Sequence, residues 1–170
     1  MSVVARVLRT WRDPRAVMRG HLAAGPREDR AVATLLGACV LLFVAQWPVL
    51  SRAAFLDPSI PLEARMSGAM MGTLFLLPPI AYVFAAASHL VARVMGGRGT
   101  WFGARIALFW TLLAIAPLAL LNGLVIGFLG SGGAATVVGV IVLGAFLFLW
   151  ISALAEAERA GAPQDHPTKG

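Results

Sequence analysis

Stretches without any charged residue divide this chain into its elements. No Asp, Glu, Lys or Arg occurs in residues 31–51, 66–92 or 106–155, tracts of 21, 27 and 50 residues. A helix rises ~1.5 Å per residue and the hydrocarbon core of a bilayer is ~30 Å thick, so one crossing uses ~20 residues. The first two tracts hold one crossing each. The third holds two, folded back at Gly130 to Gly133. Four spans are predicted, over residues 31–50, 66–92, 104–128 and 134–154. Residues 2–12 show a different pattern. At 100° per residue Val3, Val4, Val7 and Trp11 share one arc, and Arg6, Arg9 and Arg12 lie opposite, which predicts an amphipathic helix. Asp13-Pro14, a capping carboxylate and then a residue with no N–H to satisfy, starts a second short helix through Ala16, Val17 and Met18 that ends by Gly20 or Gly25.

The expected fold is therefore all-α: a polytopic membrane helix bundle with four transmembrane helices plus an N-terminal amphipathic interfacial helix. Residues 1–30 form a cytoplasmic basic segment and residues 31–154 the membrane domain. Residues 155–170, polar and carrying Pro and Gly, are expected to be a disordered cytoplasmic tail. Composition agrees with a chain solvated by lipid: 59% of residues are hydrophobic and 13% charged, and the mean hydropathy is +0.80. Soluble domains average about 45–50% and about 25%.

The net charge of +6 acquires its meaning from where the charges fall. Residues 1–30, the loop after the second span and the tail hold Arg6, Arg9, Arg12, Arg15, Arg19, Arg27, Arg30, Arg93, Arg98, Arg105, Arg159 and Lys169; the opposite loops hold only Arg52 and Arg65. By the positive-inside rule both termini face the cytoplasm, in a cytoplasmic (inner) membrane. No aromatic-interleaved basic patch points to nucleic acid. Arg6, Arg9, Arg12, Arg15, Arg19 and Arg98, with Trp11 at headgroup depth, are instead the candidate surface for anionic lipid headgroups or partner proteins.

Chemistry within the spans is sparse. Pro78-Pro79 deprives the carbonyls of Leu74 and Phe75 of donors, and Pro117 does the same for that of Leu113, so both helices are expected to bend there. Gln46 and Asn122 are strongly polar groups at membrane depth that call for hydrogen bonds from neighbouring helices. His89 carries an imidazole, a candidate pH-sensing group, but has no acid within one turn, so it is read as an interfacial residue. Gly68 with Gly72, and Gly123 with Gly127, allow close helix approach. Met95 to Trp101, rich in glycine, is read as a turn with a weak capacity to hold phosphate, and Trp150 as an anchor at the inner interface. The loop 51–65, with Asp57-Pro58 and Ile60-Pro61, is expected to be extended apart from a short turn at Ala53 to Leu56.

Leu36-Gly37-Ala38-Cys39 has the form of a lipoprotein box, yet 30 residues precede the apolar run and VLLFVAQW follows Cys39, so cleavage is not expected. A lone cysteine rules out an internal disulfide or a thiolate cluster. No nucleophile motif, metal-ligand spacing or intramembrane acid pair occurs, which argues against an enzyme and against a cofactor.

The run Gly96-Gly97-Arg98-Gly99-Thr100-Trp101 between two spans, with Ala104-Arg105 opening the next and Pro117 inside it, resembles bacterial members of the Yip1 family, in which a G-G-x-G-(S/T)-aromatic turn precedes a proline-bearing span. The likeness extends over about residues 25 to 155. It implies an integral membrane protein with a cytoplasmic N-terminus, linked in eukaryotes to small GTPases and vesicle traffic. The family usually has five spans against four here. The Asp-Leu-Tyr-Gly-Pro motif of the eukaryotic branch has no counterpart, so no functional residue is carried over. The expected role is a non-enzymatic membrane scaffold or accessory protein organising lipids or partner proteins, self-association included. A small transporter or channel subunit with a midplane cavity at Gln46, Pro78, Pro79, Pro117 and Asn122 is the alternative.

Overall fold

In the computed structural model, which describes residues 2–159, every regular element is helical. Two short helices come first, α1 (Val3–Arg12) and α2 (Pro14–Ala23). Ser2 Oγ accepts from the Ala5 N–H at 3.3 Å, and Asp13 Oδ1 accepts from the Ala16 N–H at 2.9 Å with Pro14 at the first helical position. Both caps satisfy donors that a helix start leaves unpaired. The long elements follow as α3 (Glu28–Leu56), α4 (Leu62–Met70) with α5 (Leu77–Val94), α6 (Trp101–Leu129) and α7 (Gly133–Arg159). Counting residues 62–94 as one rod, four helices are long and apolar enough to cross a membrane.

Each helix outlasts its ion-free tract. Ala53 to Leu56 are the last turn of α3 rather than a separate turn, because Pro48 does not stop the helix. Residues 155–159 continue α7 where a tail was expected; residues 160–170 lie outside the described residues. Between α4 and α5 the backbone widens into a π-helical stretch, Met71–Leu76, where the Leu77 N–H reaches back to the Gly72 carbonyl. Its cause is local. Pro78 and Pro79 cannot donate to Leu74 and Phe75, and the wider turn absorbs that loss at a point where a bend was expected.

At the centre stands α6, which packs on α3, α5 and α7. Ile106 to Thr111 on it are all buried, and Phe109 is completely so. Leu35 and Cys39 of α3, Ala81 and Ala85 of α5, and Ala153 and Ala157 of α7 complete the core with Met18 of α2. The closest approach is between α3 and α6. A Cβ on Gly123 would run into the carbonyl oxygen of Ala45, and one on Gly127 would come within 2.9 Å of the backbone of Pro48. Gly68 and Gly72 meet open space instead. At the far end Arg52 Nη1 donates to the Gly127 and Phe128 carbonyls at 3.4 and 3.5 Å, satisfying groups that the end of α6 leaves free. Arg65 donates to the carbonyls of Ile60 and Asp57, both at 3.1 Å, and pairs with the Asp57 carboxylate at 3.2 Å.

Candidate functional site

The starts of α3 and α6 and the ends of α5 and α7 meet at one end of the bundle, with α1 and α2 laid against it. Every arginine of the described residues except Arg52 and Arg65 is at this end. Burial of Val17 and Met18 docks α2 onto the bundle, and Arg19 pairs with Glu156 of α7 at 3.3 Å. The dock of α1 is polar: Thr10, 3% exposed, accepts a hydrogen bond from Trp110 Nε1 of α6 at 2.9 Å and donates to the Arg6 carbonyl at 2.8 Å. Val3, Val4, Leu8 and Trp11 remain exposed on α1, as do the side chains of Arg9 and Arg12, and Arg15 is exposed on α2. Arg6 departs from the expected outward set, for its half-buried side chain lines a cavity toward the bundle. Arg98 is exposed and widely separated from the α1 arginines in sequence.

The glycine-rich turn proves to be a clasp. Glu158, in the last turn of α7, is 8% exposed and has two partners for its carboxylate: His89 Nδ1 at 2.7 Å from Oε1, and the Gly99 N–H, which donates to Oε2 at 2.8 Å. The Arg98 N–H donates to the Glu158 carbonyl at 3.2 Å. A Cβ on Gly97 would lie 2.6 Å from Glu158 Oε2, and one on Gly99 would lie 2.8 Å from the Ala157 carbonyl oxygen. Only glycine lets this loop lie so close to α7. Thr100 then caps α6 by accepting from the Gly103 N–H at 3.0 Å, and the Trp101 ring sits 4.6 Å from that of His89. His89 is thus corrected from an interfacial residue without an acid to a fully buried partner of Glu158, 69 residues away. Sequence held one signal of a close approach, three glycines in four residues; Glu158 itself fell in the stretch read as a tail.

The polar and kinked positions of the spans are each accounted for separately. Gln46 Nε2 donates to Thr73 Oγ1 at 2.7 Å, tying α3 to the π-helical stretch, and to the Leu42 carbonyl at 3.3 Å. Asn122 Oδ1 is buried with no hydrogen-bond partner among the described residues, so the expected interhelical bond is not made there. Pro79 and Pro117 are exposed and Pro78 half-buried. The two cavities described are lined by none of Gln46, Pro78, Pro79, Pro117 and Asn122. Trp150 stacks on Phe146 with centroids 6.1 Å apart and lies 5.1 Å from Phe84. Among the described residues no group of three or more His, Cys, Asp or Glu could hold a metal ion.

Four apolar membrane-length helices with a glycine clasp at their arginine-rich end define a multi-pass helical membrane protein. The Yip1 domain family model matches residues 8–165, nearly the whole chain, and the protein belongs to the Yip1 family. No curated protein and no solved structure matches it.

Proposed function

We propose that this Yip1 family protein is a non-enzymatic scaffold or accessory protein of the cytoplasmic membrane. Its arginine-rich end faces the cytoplasm and gathers anionic lipid, and with it partner proteins, around the bundle. One observation carries the reading: α1 is held against α6 by the buried Thr10–Trp110 bond, yet keeps Val3, Val4, Leu8 and Trp11 exposed beside Arg9 and Arg12, with Arg15 exposed on α2. A helix fixed at the end of a membrane bundle with both apolar and cationic groups uncovered suits the headgroup boundary, where each arginine near an anionic surface contributes about 1 kcal/mol.

The test is the lipid shell that leaves the membrane with the protein in polymer-bounded discs. Wild type is expected to carry more anionic lipid than the surrounding membrane. A variant with Arg9→Gln, Arg12→Gln and Arg15→Gln is expected to fall to the bulk ratio, and an unchanged shell would refute the proposal.

A further inference from the structure

Between the α1–α2 pair and the helices α3 and α6 lies a cavity of about 450 Å³. Arg6, His21, Arg27 and Arg30 line it, and among the described residues no acidic side chain does. Its walls are graded. Both α3 and α6 run away from the arginine-rich end, and Arg105 of α6 meets Glu28 of α3 at 2.7 Å, which sets the two helices level there. From that level the α3 wall descends from Arg27 and Arg30 to Ala33 and Gly37, a drop of about 15 Å at ~1.5 Å per residue. On the α6 side the descent runs through Ile106 and Trp110 to Leu113. Along α3 the upper end is cationic and the lower end is apolar. Small residues make the room: a Cβ on Gly20 or Gly37 would meet nothing within 4 Å.

His21 is a second group suited to an anion. Its ring lies 4.3 Å from that of Trp110, and its Nε2 is buried with no hydrogen-bond partner among the described residues. Buried polar atoms are seldom left so. Desolvation, then the charges of Arg6 and Arg30, hold its pKa down to about 4 from an ordinary 6.5. A negative group among these residues would satisfy the ring nitrogen and offset the clustered positive charge.

We propose that this cavity seats one anionic phospholipid, its phosphate among Arg6, Arg27, Arg30 and His21 and an acyl chain descending past Gly37 along Trp110. The class of ligand rests on the anionic-lipid reading above, but the residues are different ones, so the two can fail separately. The α1–α2 pair then acts as a cover over the headgroup, held down by Thr10 on Trp110.

The full chain, purified in mild detergent and stripped of lipid, is titrated with dioleoyl phosphatidylglycerol or dioleoyl phosphatidylcholine and read by native mass spectrometry. One phosphatidylglycerol is expected per chain, held at least about tenfold more tightly than phosphatidylcholine, the scale of one charge-assisted contact. Arg30→Gln should weaken retention about tenfold by removing such a contact. Gly37→Leu keeps every charge and projects into open space, so it should fold, yet fill the groove and lower retention as well. Equal retention of the two lipids, or full retention by both variants, overturns the proposal. Glycerol phosphate separates a lipid from a soluble phosphate ester: failure to displace the lipid supports the assignment, and displacement at comparable concentration overturns it. The His21 ring proton, followed by NMR, should report a raised pKa with phosphatidylglycerol and none with phosphatidylcholine. The R9Q/R12Q/R15Q variant should keep the bound lipid; its retention alongside an unchanged lipid shell would sink the surface reading and leave the cavity standing.

Discussion

Glu158 occupies a position that electrostatics alone would forbid. It brings a carboxylate into the last turn of a helix, where the backbone dipole is negative, and buries it to 8% exposure. Two groups make this tolerable, His89 Nδ1 and the Gly99 N–H. Glu158→Ala removes the acceptor and leaves both unpaired, at an expected cost of about 2–4 kcal/mol. A thermal melt of the solubilised chain should fall accordingly, with Glu158→Gln in between because its amide oxygen can still accept from Gly99. A melt unchanged in E158A would show that the clasp contributes nothing. The pair was not legible in the sequence: an acid 69 residues away has no periodic relation to His89. What could be read was the need for glycine, though not the object to which the loop came close. Arg6 was misplaced for a related reason. A helical wheel places it among the outward arginines, and only the docking of Thr10 on Trp110 turns that edge of α1 toward the cavity.

At the scale of elements, the spans were visible because exclusion of charge from hydrocarbon is a property of a linear string of residues. Their limits were not. The α3 helix extends to Glu28 and Leu56 because hydrogen bonding does not stop at the hydrocarbon edge, and Pro48 costs it one donor without ending it. Two small-residue pairs looked alike on paper, and the fold uses them differently. Gly123→Leu should break the α3–α6 contact by pushing a side chain into the Ala45 carbonyl, with a loss of about 3 kcal/mol or more. Gly68→Leu, facing open space, should be tolerated within about 0.5 kcal/mol. Melts of the two variants side by side decide this, and equal losses would mean that α6 does not pack on α3 as described.

For the whole molecule, the order of packing was the hidden quantity. All four long helices are apolar around most of their circumference, and nothing in their composition singles out α6 as the one at the centre. Sidedness, in contrast, is written in the arginines. With Cys39 replaced by Ser, single cysteines at Arg15, Ser59 and Arg159 should report it through an impermeant maleimide on oriented membrane vesicles. Arg15→Cys and Arg159→Cys are expected to label from the cytoplasmic face and Ser59→Cys from the other. Labelling of the first two from opposite faces would contradict a four-span chain.

The clasp also imposes a schedule on biosynthesis. Gly99 leaves the ribosome 59 residues before the acid that it binds. At about 5–20 residues per second the second span and the turn after it wait roughly 3–12 s with an imidazole and an amide unmatched. Until the final span is translated and threaded into the bilayer, the nascent bundle stays open at one rim, exposing a flaw that cellular surveillance of unfinished membrane proteins can recognise.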